Sequence, residues 1–159
     1  MIVVADSGPL RYLLVIGHID ILPSLFDRVL VPAAVRRELT HQRAPELVRN
    51  WMNDAPGWFE VDFSPHSSVP EIESLDDGER QAISLALRVA SDYILMDDEE
   101  GRRAASHLHC TVIGTIGILE RAANRGLLDF NRAFAKLTET NCRISSALRR
   151  AILERSEER

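Results

Sequence analysis

Acidic side chains follow the apolar runs of this chain at the points where the pattern changes from strand to helix. Asp6 comes directly after residues 2–5, and Asp97 and Asp98 come directly after residues 93–96. Unbroken apolar runs of this length are typical of strands buried on both faces of a parallel sheet. Because open α/β sheets bind ligands at the carboxyl ends of their strands, we expect these carboxylates at a ligand site.

Two glutamates lie on predicted helices that flank this sheet. Glu38 lies one turn after Val35, so it borders the buried stripe of its helix. Glu79 lies one turn before Ala82 and Ile83, and it points toward the sheet for the same reason. Acids that converge at one end of a parallel sheet would bind a hard cation, because Mg²⁺ prefers oxygen ligands.

Each of these acids also has a simpler explanation. A carboxylate directly before a helix is a common N-cap, which would account for Asp6, Asp97 and Asp98. A glutamate in the first helical turn interacts favourably with the helix dipole, which would account for Glu79. A solvated or arginine-paired side chain would account for Glu38. The residue types alone leave both interpretations open.

The order of the predicted elements favours a three-layer α/β/α sandwich around a central, mostly parallel sheet, because short apolar strands alternate with helices. We predict a helix over residues 10–19 and a strand-to-helix transition at Pro32. Residues 58–63 alternate like an edge strand, and residues 64–73 form the clearest loop. The tail from residue 129 to residue 158 is predicted to be helical, with a break at residues 141–142.

Length and composition indicate one soluble domain in a reducing compartment. The chain has 159 residues, 45% of them hydrophobic and 27% charged, and two cysteines, which are too few for a disulfide scaffold. No apolar run approaches the roughly 20 residues that cross a bilayer. No basic segment precedes the first apolar run, so we expect no signal peptide, no membrane contact and a cytoplasmic location.

The charge pattern gives a mixed indication about nucleic acids. The formal net charge of −5 argues against non-specific coating of nucleic acid. However, 19 residues are basic and Lys136 is the only lysine. The arginines that make up the rest are well suited to bidentate contacts with phosphate.

Several segments have an order and spacing found in a known nuclease family. They include Val-Val-Ala-Asp-Ser at 3–7, the helix at 31–39, Gly-Glu at 78–79 and Ile-Leu-Met-Asp-Asp at 94–98. On these segments the chain resembles the PIN-domain nucleases. Segments 97–105, 112–119 and 126–128 are similar to VapC-like toxin relatives within that family.

The resemblance implies a PIN-like fold and a metal-dependent ribonuclease that uses Mg²⁺ or Mn²⁺. Residues 1–128 would form the catalytic domain, and residues 129–159 a helical C-terminal extension packed on it. Ser7 matches the hydroxyl residue that supports the first aspartate in this family. The residues that match the family's acidic positions are Asp6, Glu38, Glu79 and, as the fourth, Asp97, with Asp98 kept as the alternative.

The resemblance also implies partners: an RNA substrate, an antitoxin protein of a type II toxin–antitoxin system and a second copy in a homodimer. The alternative is a catalytically silent interaction module, which would be expected to lack one of the acids. A receiver domain needs a lysine late in the sheet, whereas Lys136 lies in the tail. A phosphatase usually needs a second aspartate where this chain has Gly8, and no phosphate-binding P-loop is present.

Overall fold

A computed structural model of the chain describes residues 1–142, Arg149, Arg150, Ile152 and Glu154. Its framework is a five-stranded sheet in the order β3-β2-β1-β4-β5, with every neighbouring pair parallel. The strands are β1 (Ile2–Ala5), β2 (Arg28–Pro32), β3 (Phe59–Asp62), β4 (Tyr93–Leu95) and β5 (Val112–Ile113).

Helices cover both faces of this sheet. Two 3₁₀ segments, Ile19–Ile21 and Pro70–Ile72, accompany them. The α-helices within residues 1–142 are α1 (Ser7–Val15), α2 (Leu22–Leu25), α3 (Ala33–Thr40), α4 (Glu46–Asn53), α5 (Asp77–Val89), α6 (Glu99–His107), α7 (Thr115–Asn124) and α8 (Phe130–Thr138). The predicted three-layer α/β/α fold is therefore confirmed.

The sheet separates two hydrophobic cores, one on each of its faces. Val3 and Ala5 of β1 pack with α1, α2, α7 and α8 on one face, while Val4 packs with α5 and α6 on the other. Successive side chains of a strand point to opposite faces, so a strand covered on both sides has to be apolar at every position. This explains why the run before Asp6 contains no polar residue.

The first helix begins earlier than predicted. Helix α1 starts at Ser7 and ends at Val15, whereas the apolar pattern predicted a helix over residues 10–19. Pro9 fits inside the first turn, because the first N–H groups of a helix have no intrahelical acceptor. Gly17 has a left-handed φ of 81° and ends the helical path. Strand β1 therefore passes into α1 with Asp6 as the only residue between them.

The start of the predicted helical tail packs on the same core. Phe130, Phe134 and Leu137 of α8 are buried in the core that contains α7, and Ile152 is buried there too. Residues 143–148, 151, 153 and 155–159, which were predicted to be helical apart from the last position, lie outside the described residues. None of the helices that the structure describes is long and apolar enough to cross a membrane.

Candidate functional site

The strand order of the sheet reverses between β1 and β4. The chain places β2 and β3 on one side of β1, and then β4 and β5 on the other. Open α/β sheets bind their ligands beside such a reversal, at the carboxyl ends of the strands. Asp6 follows β1 at this point, and its backbone N–H donates to the carbonyl of Leu95, at the end of β4, over 2.9 Å.

Asp6 does not act as an ordinary helix cap. It occupies the N-cap position of α1, but its side chain makes no capping hydrogen bond. In contrast, Asp76, Asp98 and Asp129 each accept the first-turn backbone N–H that an N-cap is expected to accept. Asp6 is also only 7% exposed. Helix capping therefore does not account for a buried carboxylate at this position.

The surroundings of Asp6 disfavour its ionised form. Burial is the largest cause, and it raises the pKa of Asp6 to about 7. The backbone N–H of Ser7 opposes this change, whereas the negative charges of Glu38, Asp76 and Asp97 add to it. These three carboxylates are thus close enough to Asp6 to repel its charge.

Glu79 is the second buried acid of the site. It lies in the first turn of α5, where its backbone N–H donates to Oδ1 of Asp76 over 2.9 Å. Burial, followed by the charges of Asp76, Asp98 and Asp6, raises the pKa of Glu79 to about 8. Asp76 therefore acts on both buried acids as well as capping the helix.

Glu38 reaches the site from α3. Its carboxylate oxygen Oε2 accepts a hydrogen bond from the hydroxyl of Ser7. Ser7 was predicted to support the first aspartate; its hydroxyl donates to Glu38, and its backbone N–H stabilises the ionised form of Asp6. Glu38 itself is exposed, so it forms the outer wall of the site.

The two neighbouring aspartates after β4 have different surroundings. Asp97 is half-buried, and it accepts bonds from the backbone N–H of Thr115 at 2.8 Å and from its hydroxyl at 2.5 Å. Asp98 is exposed and caps α6 through the backbone N–H of Gly101 at 3.0 Å. Asp97 lies near Asp6, whereas Asp98 acts on Glu79.

We refer to these six acids, Asp6, Glu38, Asp76, Glu79, Asp97 and Asp98, as the carboxylate cluster. None of them takes part in the ion pairs found among the described residues. Carboxylates without an ion-pair partner, whose charges help to raise the pKa of Asp6 and of Glu79, fit a hard divalent cation, because oxygen is their only donor atom.

The carboxylates do not form a closed metal cage. As the side chains stand, no three acids, histidines or cysteines of the described part converge closely enough to hold an ion alone. Mg²⁺ usually keeps several water ligands and binds through only one or two carboxylates. The open arrangement is therefore compatible with this ion.

A family model described as a PIN domain matches residues 2–158. The chain belongs to the PIN-domain family. PIN domains are generally nucleases, which are hydrolases. A comparison with curated proteins found no matching sequence.

One glycine allows the carboxylate of Glu38 in this PIN domain to sit close to the backbone of α5. A Cβ atom at Gly78 would overlap that carboxylate. At Gly114 a Cβ would lie 2.6 Å from Nη1 of Arg102 and 3.0 Å from Oδ1 of Asp97, so both side chains would have to shift. Glu38 thus occupies space that any larger residue at position 78 would take.

Replacing Gly78 by alanine should reduce divalent-cation affinity and nuclease activity roughly ten-fold, the low end for loss of a supporting contact. The new methyl group displaces Glu38, whose side chain is exposed and can move without unfolding the domain. The thermal midpoint should therefore remain within a few degrees of the wild-type value. Isothermal titration with Mn²⁺ and a fluorogenic RNA assay would measure both effects.

Gly8→Ala is the matched control for this substitution. Gly8 and Gly78 each occupy the second position of a helix, α1 and α5 respectively. A Cβ at Gly8 would meet nothing within 4 Å. Equal metal affinity and activity in the two variants would contradict the role assigned to the position of Glu38.

Two residues of the PIN domain site were not among the predicted site residues. Asp76 is the N-cap of α5, and an acid one turn before Glu79 is also placed to act on it. Thr115 is 1% exposed and fixes Asp97. The available signal was a hydroxyl residue two positions after β5, just as Ser7 lies two positions after β1.

Proposed function

We propose that this PIN domain is a divalent-metal-dependent endoribonuclease and the toxin component of a type II toxin–antitoxin system. The observation that carries the proposal is the carboxylate cluster at the reversal of strand order. Its two buried acids, Asp6 and Glu79, have raised pKa values and no cationic partner among the described residues. A protein with no use for a cation would have little reason to keep such a destabilising arrangement.

The residues that would hold Mg²⁺ or Mn²⁺ are Asp6, Glu38, Glu79 and Asp97, with Asp98 as the alternative to Asp97. When bound, such an ion supplies Lewis acidity and lowers the pKa of water that attacks a phosphodiester.

The chain's own side chains would orient these groups and handle the proton. Thr115 holds both oxygens of Asp97, and Ser7 holds one oxygen of Glu38. Such supporting hydrogen bonds fix the direction of a ligand's lone pairs. Glu79, whose pKa is about 8 in the metal-free protein, would hold a proton near neutral pH until a cation binds and releases it.

The toxin role and its partners rest on the resemblance of segments 97–105 and 112–119 to VapC-like toxins. An antitoxin would be the protein partner, and a homodimer the expected assembly in the cytoplasm. This part of the proposal is independent of the chemistry at the carboxylate cluster.

The decisive experiment incubates the purified protein with a panel of structured and single-stranded RNAs, in Mg²⁺, in Mn²⁺ and in EDTA. We expect cleavage with either metal and none in EDTA. An Asp6→Asn preparation made in parallel excludes a contaminating ribonuclease. Isothermal titration calorimetry of the same sample measures metal binding directly.

Absence of both cleavage and metal binding would contradict the proposal and favour a silent interaction module. Metal binding without cleavage of any RNA in the panel would contradict a general endoribonuclease. Co-purification of a small protein encoded beside this gene, with cleavage inhibited in the complex, would support the toxin role.

A further inference from the structure

A groove leads away from the carboxylate cluster on the side of Ser7 and Glu38. It encloses about 560 Å³ between α1, α3 and the residues that follow α3. The basic and imidazole side chains that line it are Arg11, Arg37, His41 and Arg43. Glu38 and Asp77 line it as well, and Asp77 pairs with Arg37, so Arg11 and Arg43 are the arginines of this surface without an ion pair among the described residues.

A second cavity continues this groove. It encloses about 850 Å³, and Arg11 and Arg43 line both cavities. Lys136 and Glu139 also line it, together with Tyr12 and Leu47. Leu47 is 54% exposed. The combined groove thus alternates cationic groups with an aromatic ring and an apolar surface.

The cations of this groove are available to a ligand. Arg11, Arg43 and Lys136 take part in none of the ion pairs found in the described part of the chain. The guanidinium of Arg11 lies 5.7 Å from the ring centroid of Tyr12. In a chain with a net charge of −5, three such cations along one groove indicate a binding surface for an anionic polymer.

On the basis of the proposed function, we infer that this groove binds single-stranded RNA and guides it to the carboxylate cluster. Phosphates contact Arg11 and Arg43, and a base packs against Tyr12 near Leu47. Grooves for single strands combine backbone cations with aromatic surfaces in this way, because an unpaired base exposes its face for stacking. A duplex keeps its bases stacked on one another, so Tyr12 favours a single strand.

The inference is tested by measuring the binding of a fluorescent 12-nucleotide single-stranded RNA in EDTA, where cleavage is not expected. The double variant R11A/R43A should bind at least ten-fold more weakly than the wild type. Each lost phosphate contact should reduce the slope of log K against log salt by about 0.7. A 12-base-pair duplex should compete poorly with the single strand.

Arg36→Ala is the matched control. Arg36 is exposed on the same helix as Arg37 but lines neither cavity. Its removal changes the net charge by one unit, against two units for R11A/R43A, without touching the groove. If the loss of binding free energy for each removed charge is the same in R36A and in R11A/R43A, the inference is overturned, because only the overall charge would then matter.

Photo-crosslinking gives a second measurement that does not depend on the folding of a variant. Wild-type protein irradiated with 4-thiouridine-containing RNA should yield cross-linked peptides that contain Tyr12 or Leu47. Crosslinks confined to α5 and α6, on the other face of the sheet, would overturn the inference. The inference would also be overturned if the wild-type protein bound no RNA at low salt, and a protein partner would then be the occupant to test for this groove.

The binding results are separable from a failure of the proposed function. If RNA binds through Arg11 and Arg43 but is not cleaved in Mg²⁺ or Mn²⁺, the result would support RNA binding in the groove and contradict the nuclease activity. If the wild type cleaves RNA with metal and R11A/R43A binds RNA as well as the wild type, the result would support the nuclease activity and contradict RNA binding in this groove.

Discussion

Replacing Asp6 by asparagine should lower metal-dependent RNA cleavage by about 1,000-fold and, at the same time, stabilise the metal-free protein at pH 8. Removing a residue that supports a metal ligand typically lowers metal affinity or activity about 10–100-fold, so removing a direct ligand should lower activity more. The amide keeps the size of the side chain but loses the charge that the ion requires.

The gain in stability follows from the burial of Asp6. Its pKa of about 7 means that the carboxylate is largely ionised at pH 8, while it is buried near Glu38, Asp76 and Asp97. The neutral amide removes this repulsion. For a protein of this size, each kcal/mol corresponds to about 2–4 °C in thermal midpoint, so we expect a rise of roughly 5–10 °C.

Single-turnover cleavage and differential scanning calorimetry in EDTA would measure the two effects on one preparation. Asp54→Asn is the control, because Asp54 is exposed and the chemical change is the same; neither quantity should change. Loss of activity together with a lower thermal midpoint would contradict the assignment, since it would indicate a folding defect.

The metal-free protein should become less stable as the pH rises from 6.5 to 8.5, and a divalent cation should cancel this loss. Asp6 and Glu79 have folded-state pKa values of about 7 and 8, above their ordinary values of 3.8 and 4.5. In this window the unfolded chain has already released both protons, whereas the folded protein still holds part of them. The free energy of unfolding therefore falls with increasing pH until both groups have ionised.

The size of this loss should be on the order of 2 kcal/mol, or several degrees in thermal midpoint. The pH range for this prediction begins at 6.5 because of His18. Burial lowers the pKa of His18 from 6.5, so below pH 6.5 this residue makes the folded protein more stable as the pH rises. Divalent metal binds the ionised carboxylates and releases the protons, so it should stabilise the protein more at pH 8.5 than at pH 6.5.

Thermal midpoints at several pH values, with EDTA and with Mn²⁺, would test this behaviour. The double variant D6N/E79Q should show a flat profile in EDTA. Glu60→Gln is the control, because Arg28 lowers the pKa of Glu60 and it titrates outside this window. A wild-type profile that rises between pH 6.5 and 8.5, or one that Mn²⁺ leaves unchanged, would contradict the prediction.

The architecture was predictable from the sequence because apolar runs mark strands that are covered on both faces. The alternation of such runs with helices was enough for the α/β/α fold, and residues 58–63 were correctly recognised as an edge strand, β3. The start of α1 was misplaced because its apolar pattern begins only at Leu10, and Ser7 and Pro9 are also typical of turns. Both residues also fit a first helical turn, and local pattern alone does not separate these two uses.

The candidate site was less accessible to sequence reasoning. Asp6 could be selected as an acid at a strand end, but only the structure shows that it is buried and does not cap α1. The role of Asp76 was hidden because one residue both caps a helix and acts on two buried acids. The basic groove depends on how the residues after α3 lie against Arg11, and such a long-range approach has no local pattern.

The strand order has a consequence for partial chains. Residues 1–63 supply β1, β2 and β3, which form one continuous half of the sheet, together with Asp6 and Glu38. Residues from 64 onward supply β4 and β5, together with Glu79 and Asp97. A nascent or truncated polypeptide that stops in the intervening loop therefore carries two of the six acids and no complete cluster. The carboxylate cluster is assembled only when the second half docks along the edge of β1, late in synthesis.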